Sequence, residues 1–94
     1  MPRVVIRHRV KDFSSWKQAY LAHGSVRAAA GVTRSRVCQA VDDPNHVLIE
    51  FECKDLAKVK QLAQSQEVKD VMKNAGVLDT PDMYFLTDGE TFSN

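Results

Sequence analysis

Arg3-Val4-Val5-Ile6-Arg7-His8-Arg9-Val10 and the residues directly after it, Lys11-Asp12-Phe13-Ser14-Ser15-Trp16, read with two different periods. The first run alternates: Val4, Ile6, His8 and Val10 share one face and Val5, Arg7 and Arg9 the other, the period of a strand with one apolar side. At Lys11-Asp12 the spacing changes. Asp12 suits a helix N-cap, and Phe13, Trp16, Tyr20, His23 and Arg27 then recur every three or four residues, ending at Ala28-Ala29-Ala30-Gly31 with glycine as the C-terminal cap. A strand is therefore followed at once by a helix that carries an aromatic stripe.

Working outward, Thr33 to Val41 reads as a second strand and Asp42-Asp43-Pro44-Asn45 as a turn. His46 to Cys53 is a third strand, with Val47, Ile49, Phe51 and Cys53 on one face and Leu48, Glu50 and Glu52 on the other. Asp55 can cap a second helix through Leu56, Val59, Leu62 and Ala63, and Ser65 can cap its continuation through Val68, Val71, Met72 and Ala75 up to Gly76. Met83 to Leu86 is a fourth strand, and Thr87 to Asn94 a polar tail. The order βαββαβ is that of the ferredoxin-like α+β fold, an antiparallel four-stranded sheet of order 4-1-3-2 with both helices on one face. Strands one and three form the central pair, with Arg7 and Arg9 expected opposite Glu50 and Glu52. That outer face is either solvated or covered by a second copy of the chain, which would supply burial that so short a chain lacks.

The 94 residues make one domain, residues 1–94, burying only about 60% of the unfolded surface. A hydrophobic share of 44% with 27% charged residues excludes intrinsic disorder and collagen-like repeats. The net charge of +1 hides a division: residues 1–41 hold eight Lys/Arg against Asp12 alone, whereas residues 42–94 hold five Lys against eleven Asp/Glu. Nucleic acid is still not the expected partner. Arg7, Arg9, Arg34 and Arg36 lie on strands beside an acidic one, and the aromatic residues stand on a helix rather than on the open sheet where bases stack. No run reaches a membrane span and no signal-peptide layout precedes the first strand, so a soluble, cytoplasmic protein is expected. Cys38 and Cys53 lack CxxC spacing and read as reduced core thiols.

Three histidines bound the candidate chemistry. His8 falls under the helices near the end of strand one. His23, eleven residues past Asp12, lies roughly 16 Å down its helix at ~1.5 Å per residue, so the two cannot form a dyad. His46 opens strand three at the end of the sheet where His8 lies, within possible approach of it. No HxxxH, HExxH or Cys pair supports a metal site, and no metal or other cofactor is expected. Phe13 and Trp16 suit plain core packing. Tyr20, His23 and Arg27 carry polar tips down the same face, which is costly unless they line a cavity or reach solvent. Lining a cavity, they suit a small aromatic or enolic anion, Arg27 pairing the charge and His23 moving a proton near neutral pH. Ordinary packing with the polar tips at the helix end is the competing reading.

The strand ending Arg7-His8-Arg9-Val10, the Asp12-Phe13-x-x-Trp16-Lys17 helix start, the later His and Arg, Gly31, Asp43-Pro44-Asn45, Ser65-x-x-Val68 and Ala75-Gly76-Val77 together resemble the dimeric α+β barrel superfamily. That superfamily includes antibiotic-biosynthesis monooxygenases, aromatic polyketide cyclases and many short cyclase-like proteins. The resemblance implies a homodimer through the sheet faces, with a pocket in each subunit that takes a small hydrophobic or aromatic anionic ligand. It implies cofactor-independent cyclase or monooxygenase chemistry on an aromatic or polyketide-like enolic substrate, or else a non-catalytic ligand-binding or stress-response dimer. Carried over, His23 and Arg27 are the catalytic candidates, and His8, Trp16, Tyr20, Ile49, Phe51 and Met72 the binding ones, with Ile49 and Phe51 as floor and Met72 as lid. Two departures stand out: strand one lacks the Asn that the monooxygenases pair with Trp, and the second helix lacks the Trp and His of the haem-degrading members.

Overall fold

The computed structural model describes all 94 residues. The elements are β1 (Arg3–Arg9), α1 (Phe13–Ala22), α2 (Gly24–Ala29), β2 (Val32–Ala40), β3 (Asp43–Cys53), α3 (Leu56–Gln64), α4 (Gln66–Asn74) and β4 (Asp82–Leu86). One antiparallel sheet has the order β2-β3-β1-β4, the ferredoxin-like arrangement expected. Side chains alternate along β1 and β3 so that Val4, Ile6, Val47, Ile49, Phe51 and Cys53 are buried on the face that Trp16 of α1 and Val59 of α3 cover.

The helix boundaries follow from local hydrogen bonding. The Asp12 carboxylate accepts from the Ser15 N–H at 3.0 Å, Asp55 from the Ala57 N–H at 2.9 Å, and the Ser65 hydroxyl from the Val68 N–H at 3.2 Å. Ser65 is itself extended (φ −69°, ψ 145°), which separates α3 from α4. Gly31 and Gly76, with φ of +88° and +86°, turn the chain out of α2 and α4 through the left-handed region, where a side chain would be strained.

Three expectations about the elements are corrected. The first helix is not continuous to Ala30: it breaks at His23, whose N–H turns back to the Tyr20 carbonyl at 3.3 Å, before Gly24, the least helix-favouring residue of the segment, starts α2. Strand β3 begins at Asp43 rather than His46, with a tight turn at Val41-Asp42 and a register shift beside Ala40 that accommodates Pro44. The charge ladder is displaced. Matching of the buried sets pairs Val4 with Phe51, Ile6 with Ile49 and His8 with Val47, which puts Arg7 opposite Leu48 and Arg9 opposite His46.

Glu50 and Glu52 accordingly pair with Arg3, and lie beside Arg36 and Arg34 of β2. Arg7 instead reaches across to β4, where its Nε and Nη2 both donate to Oδ2 of Asp82 at 2.9 and 2.6 Å. Arg9 is 3.3 Å from the Asp43 carboxylate. His46 sits on this outer face and not with His8: its Nε2 accepts from the Arg7 guanidinium at 2.9 Å. Cys53 is buried, as expected, and its Sγ donates to the Pro2 carbonyl at 3.5 Å. Cys38 is exposed, because it stands on the outer face of the edge strand opposite Leu48, where nothing packs.

The end of β1 is strapped from two sides. Asn45 receives the Val10 N–H on its backbone carbonyl at 2.9 Å and the Phe13 N–H on its side chain at 3.0 Å. The Lys11 N–H donates to Gly76, the Leu78 N–H to Arg9, and the Arg9 N–H to the Asp79 carboxylate. These bonds fix where α1 departs, and with it the direction of the aromatic stripe.

Candidate functional site

Between the inner face of the sheet and the helices lies a cavity of about 130 Å³, lined almost wholly by apolar side chains. Val4, Ile6, Ile49 and Phe51 form its floor, and α3 and α4 close it from the other side. Trp16, 3% exposed, is held between neighbours: Phe13 at 5.7 Å between centroids, His8 in a T-shaped contact at 5.5 Å and the stacked ring of Tyr20 at 5.0 Å. The guanidinium of Arg27 continues the column, its Cζ 3.5 Å from the centre of the Tyr20 ring.

All eight residues singled out in the sequence, His8, Trp16, Tyr20, His23, Arg27, Ile49, Phe51 and Met72, border this one cavity. They differ in what their polar atoms do. Arg27 has no carboxylate within ion-pairing distance, and burial pulls its guanidinium below the ordinary value against the opposing influence of Tyr20. The Tyr20 hydroxyl is buried without a partner. His23 is half-buried at the helix break, its Nδ1 2.9 Å from the Ala19 carbonyl. A carbonyl can only accept, so Nδ1 donates and the neutral ring keeps its lone pair on Nε2.

His8 is 2% exposed, and its Nδ1 has no partner. Burial pushes its imidazole below the ordinary 6.5, with the Asp79 carboxylate opposing and Arg7 assisting. Below about pH 6.5 the unfolded chain binds a proton that the folded chain resists, so stability present above that pH is lost as the pH falls. The melting temperature is expected to drop on acidification from about pH 7 to about pH 5, and His8→Gln to flatten that part of the curve in a calorimetric pH series.

Several lining residues escape a reading of the first helix alone. Val59, Leu62, Val68 and Val71 reach the cavity from α3 and α4, and Met83 and Phe85 from β4. Their three- and four-residue or alternating spacing marks them as core, and only the fold shows that the core is incompletely filled. Glu67, in the first turn of α4, is an acid at the cavity edge that no motif announces. No group of three His, Cys, Asp or Glu side chains converges to hold a metal ion.

This fold is shared with enzymes of known structure. No protein-family model matches the chain, and no curated protein does. Among solved structures, SnoaB, a cofactor-independent oxygenase from Streptomyces nogalater, superposes with a TM-score of 0.75 at 13% identity, over 99% of this chain and 97% of its own. An antibiotic biosynthesis monooxygenase matches with a TM-score of 0.71 at 13% identity, over 96% and 100% of the two chains. A conserved protein from Methanosarcina mazei Go1 matches with 0.71 at 16% identity, over 94% and 92%. The chain thus has the ferredoxin-like α+β fold of the antibiotic biosynthesis monooxygenases. No helix is long and apolar enough to cross a membrane.

Proposed function

We propose that the protein is a cofactor-independent monooxygenase acting on a small phenolic or enolic aromatic anion. The observation that carries this reading is Arg27: a partly buried cation with no carboxylate partner, stacked on Tyr20 at a cavity lined mostly by apolar side chains. An unpaired buried cation is costly, and a ligand anion removes that cost. With the substrate oxygen on Arg27, His23 is placed by the Ala19 carbonyl to offer Nε2 as proton acceptor and donor. Loss of the proton leaves an electron-rich enolate, the form of such a substrate that dioxygen oxidises without a metal or flavin. The likeness to SnoaB supports this choice among chemistries. The cavity volume is close to the ~150 Å³ of an apolar cavity that takes a single benzene ring, which favours one ring held inside over a polycycle enclosed whole.

Dioxygen uptake with a panel of one- and two-ring phenols and enolic acids tests the reading. Consumption dependent on both protein and substrate, undiminished by chelators, is the expected result; ligand binding without uptake by any member of the panel overturns it in favour of a binding protein.

A homodimer through the outer sheet face belongs to the same proposal. Leu48 and Tyr84 are 44% and 55% exposed there, next to Val5 and Leu86. Since the Arg3, Arg7 and Arg9 pairs close within one sheet, this apolar strip is what a partner would cover. Sedimentation is expected to show a dimer that Tyr84→Lys converts to monomer; a wild-type monomer at tens of micromolar concentration rejects it.

A further inference from the structure

We infer that His8 is a second proton-handling group of this site, taking the proton of a hydroxyl at the far end of a ligand whose anionic end is held by Arg27. The inference rests on the reading of the cavity as an aromatic-anion site and adds to it a two-ended ligand. Arg27 and His23 line the cavity where α1 breaks and α2 begins, and His8 lines it from β1, beyond Trp16 and Tyr20 along the column of rings. The column His8, Trp16, Tyr20, Arg27 links the two ends by successive ring contacts of 5.5, 5.0 and 3.5 Å.

His8 is unusual for a packed histidine. It is almost fully buried, its Nδ1 meets no donor or acceptor of the protein, and its only close aromatic neighbour is Trp16, in a T-shaped contact. An orphaned buried polar atom costs about 1–3 kcal/mol, so the fold holds this imidazole in place at a cost. The charged groups that act on the ring are Asp79, from the strap beside β4, and Arg7, its neighbour in β1. His46, the other imidazole at this end, faces away and is held by Arg7. Burial keeps His8 neutral, hence able to accept, and Asp79 stabilises the imidazolium once formed. In the step, the ligand O–H breaks and its electron pair stays on oxygen, while an N–H forms on the unprotonated ring nitrogen of His8. No oxidant is involved, so the step is separable from oxygenation.

The probe is 4-hydroxy-3-nitrobenzoate, a single ring with a carboxylate for Arg27 and a phenol that is coloured only when ionised. At a pH where the free probe is largely protonated, binding to the wild type, followed by Trp16 fluorescence, is expected to produce the ionised colour, at least about a tenfold shift in its ionisation constant. His8→Gln is expected to bind the probe more weakly than the wild type and, at saturating probe, to leave it colourless; Arg27→Gln is expected to bind weakly while the fraction bound stays coloured. Colour that survives in His8→Gln and disappears in Arg27→Gln overturns the assignment to His8 while keeping the pocket. Absence of any binding to the wild type overturns both. As a check independent of variant folding, the ¹⁵N shifts of the His8 ring in the wild type must move to imidazolium values on binding; a ring that stays neutral rejects the inference.

Discussion

Trp16→Ala is expected to cost about 3–5 kcal/mol, and so to lower the melting temperature by roughly 15–30 °C for a domain of this length. Trp16 is where four things meet: the β1 floor through His8, the start of α1 through Phe13, the cavity wall through Tyr20, and the buried cluster with Val59. Removing the indole enlarges a space that is already hollow, so the neighbours cannot collapse onto each other without filling the cavity itself. The loss therefore falls at the high end of the large-to-small range. Trp16→Phe keeps a stacked ring on Tyr20 and is expected to cost less than half as much. Thermal unfolding monitored by circular dichroism checks both; equal destabilisation by the two variants would show that the stack contributes little beyond bulk.

Arg27→Gln is expected to weaken binding of an anionic aromatic ligand by about ten- to a hundredfold, the range for loss of a charge-assisted hydrogen bond in a partly buried setting. It should leave the fold intact, because Arg27 forms no ion pair with the protein and its substitution removes a desolvated charge. Stability that is unchanged or slightly raised, combined with lost affinity, identifies a binding residue held at a cost to the fold. Trp16 is the sole tryptophan of the chain, so its emission reports the ligand directly in a titration. Arg27→Lys is expected to recover only part of the affinity, since an ammonium cannot lie flat on Tyr20 while donating in a fork. Affinity for a neutral isostere of the ligand should change little in either variant.

The fold was readable because two periodicities adjoin at Asp12 and because each cap residue uses its side chain as its position suggests: Asp12, Asp55 and Ser65 all accept the N–H they were placed to accept. Cross-strand register was not readable at the level of charges. Arg7 and Arg9 can face several acids on paper, and the buried set Val4, Ile6 and His8 against Phe51, Ile49 and Val47 decides the matter. The break at His23-Gly24 was hidden by a helical period that runs through it, since α2 resumes with Arg27 on the same side. In the site, the α1 and α2 contribution was legible from polar tips on an apolar stripe. The α3, α4 and β4 contribution was not, because a residue lining a hollow and a residue filling a core have the same spacing. Likewise nothing in the sequence tells that the nitrogen of His8 is left without a partner.

The placement of β1 at the centre of the sheet has a consequence for how the chain reaches this state. Its partners are β3 and β4, so Arg3 must meet Glu52 and Leu86, closures of about fifty and eighty residues. Only β2 and β3 pair across a short turn. The hairpin and the helices can organise early, while the cavity exists only after the most distant segments have closed around it. Assembly of that kind is governed by loop-closure entropy and belongs with the slower mixed α/β folders rather than with helical bundles. The cavity is then among the last features of the molecule to form.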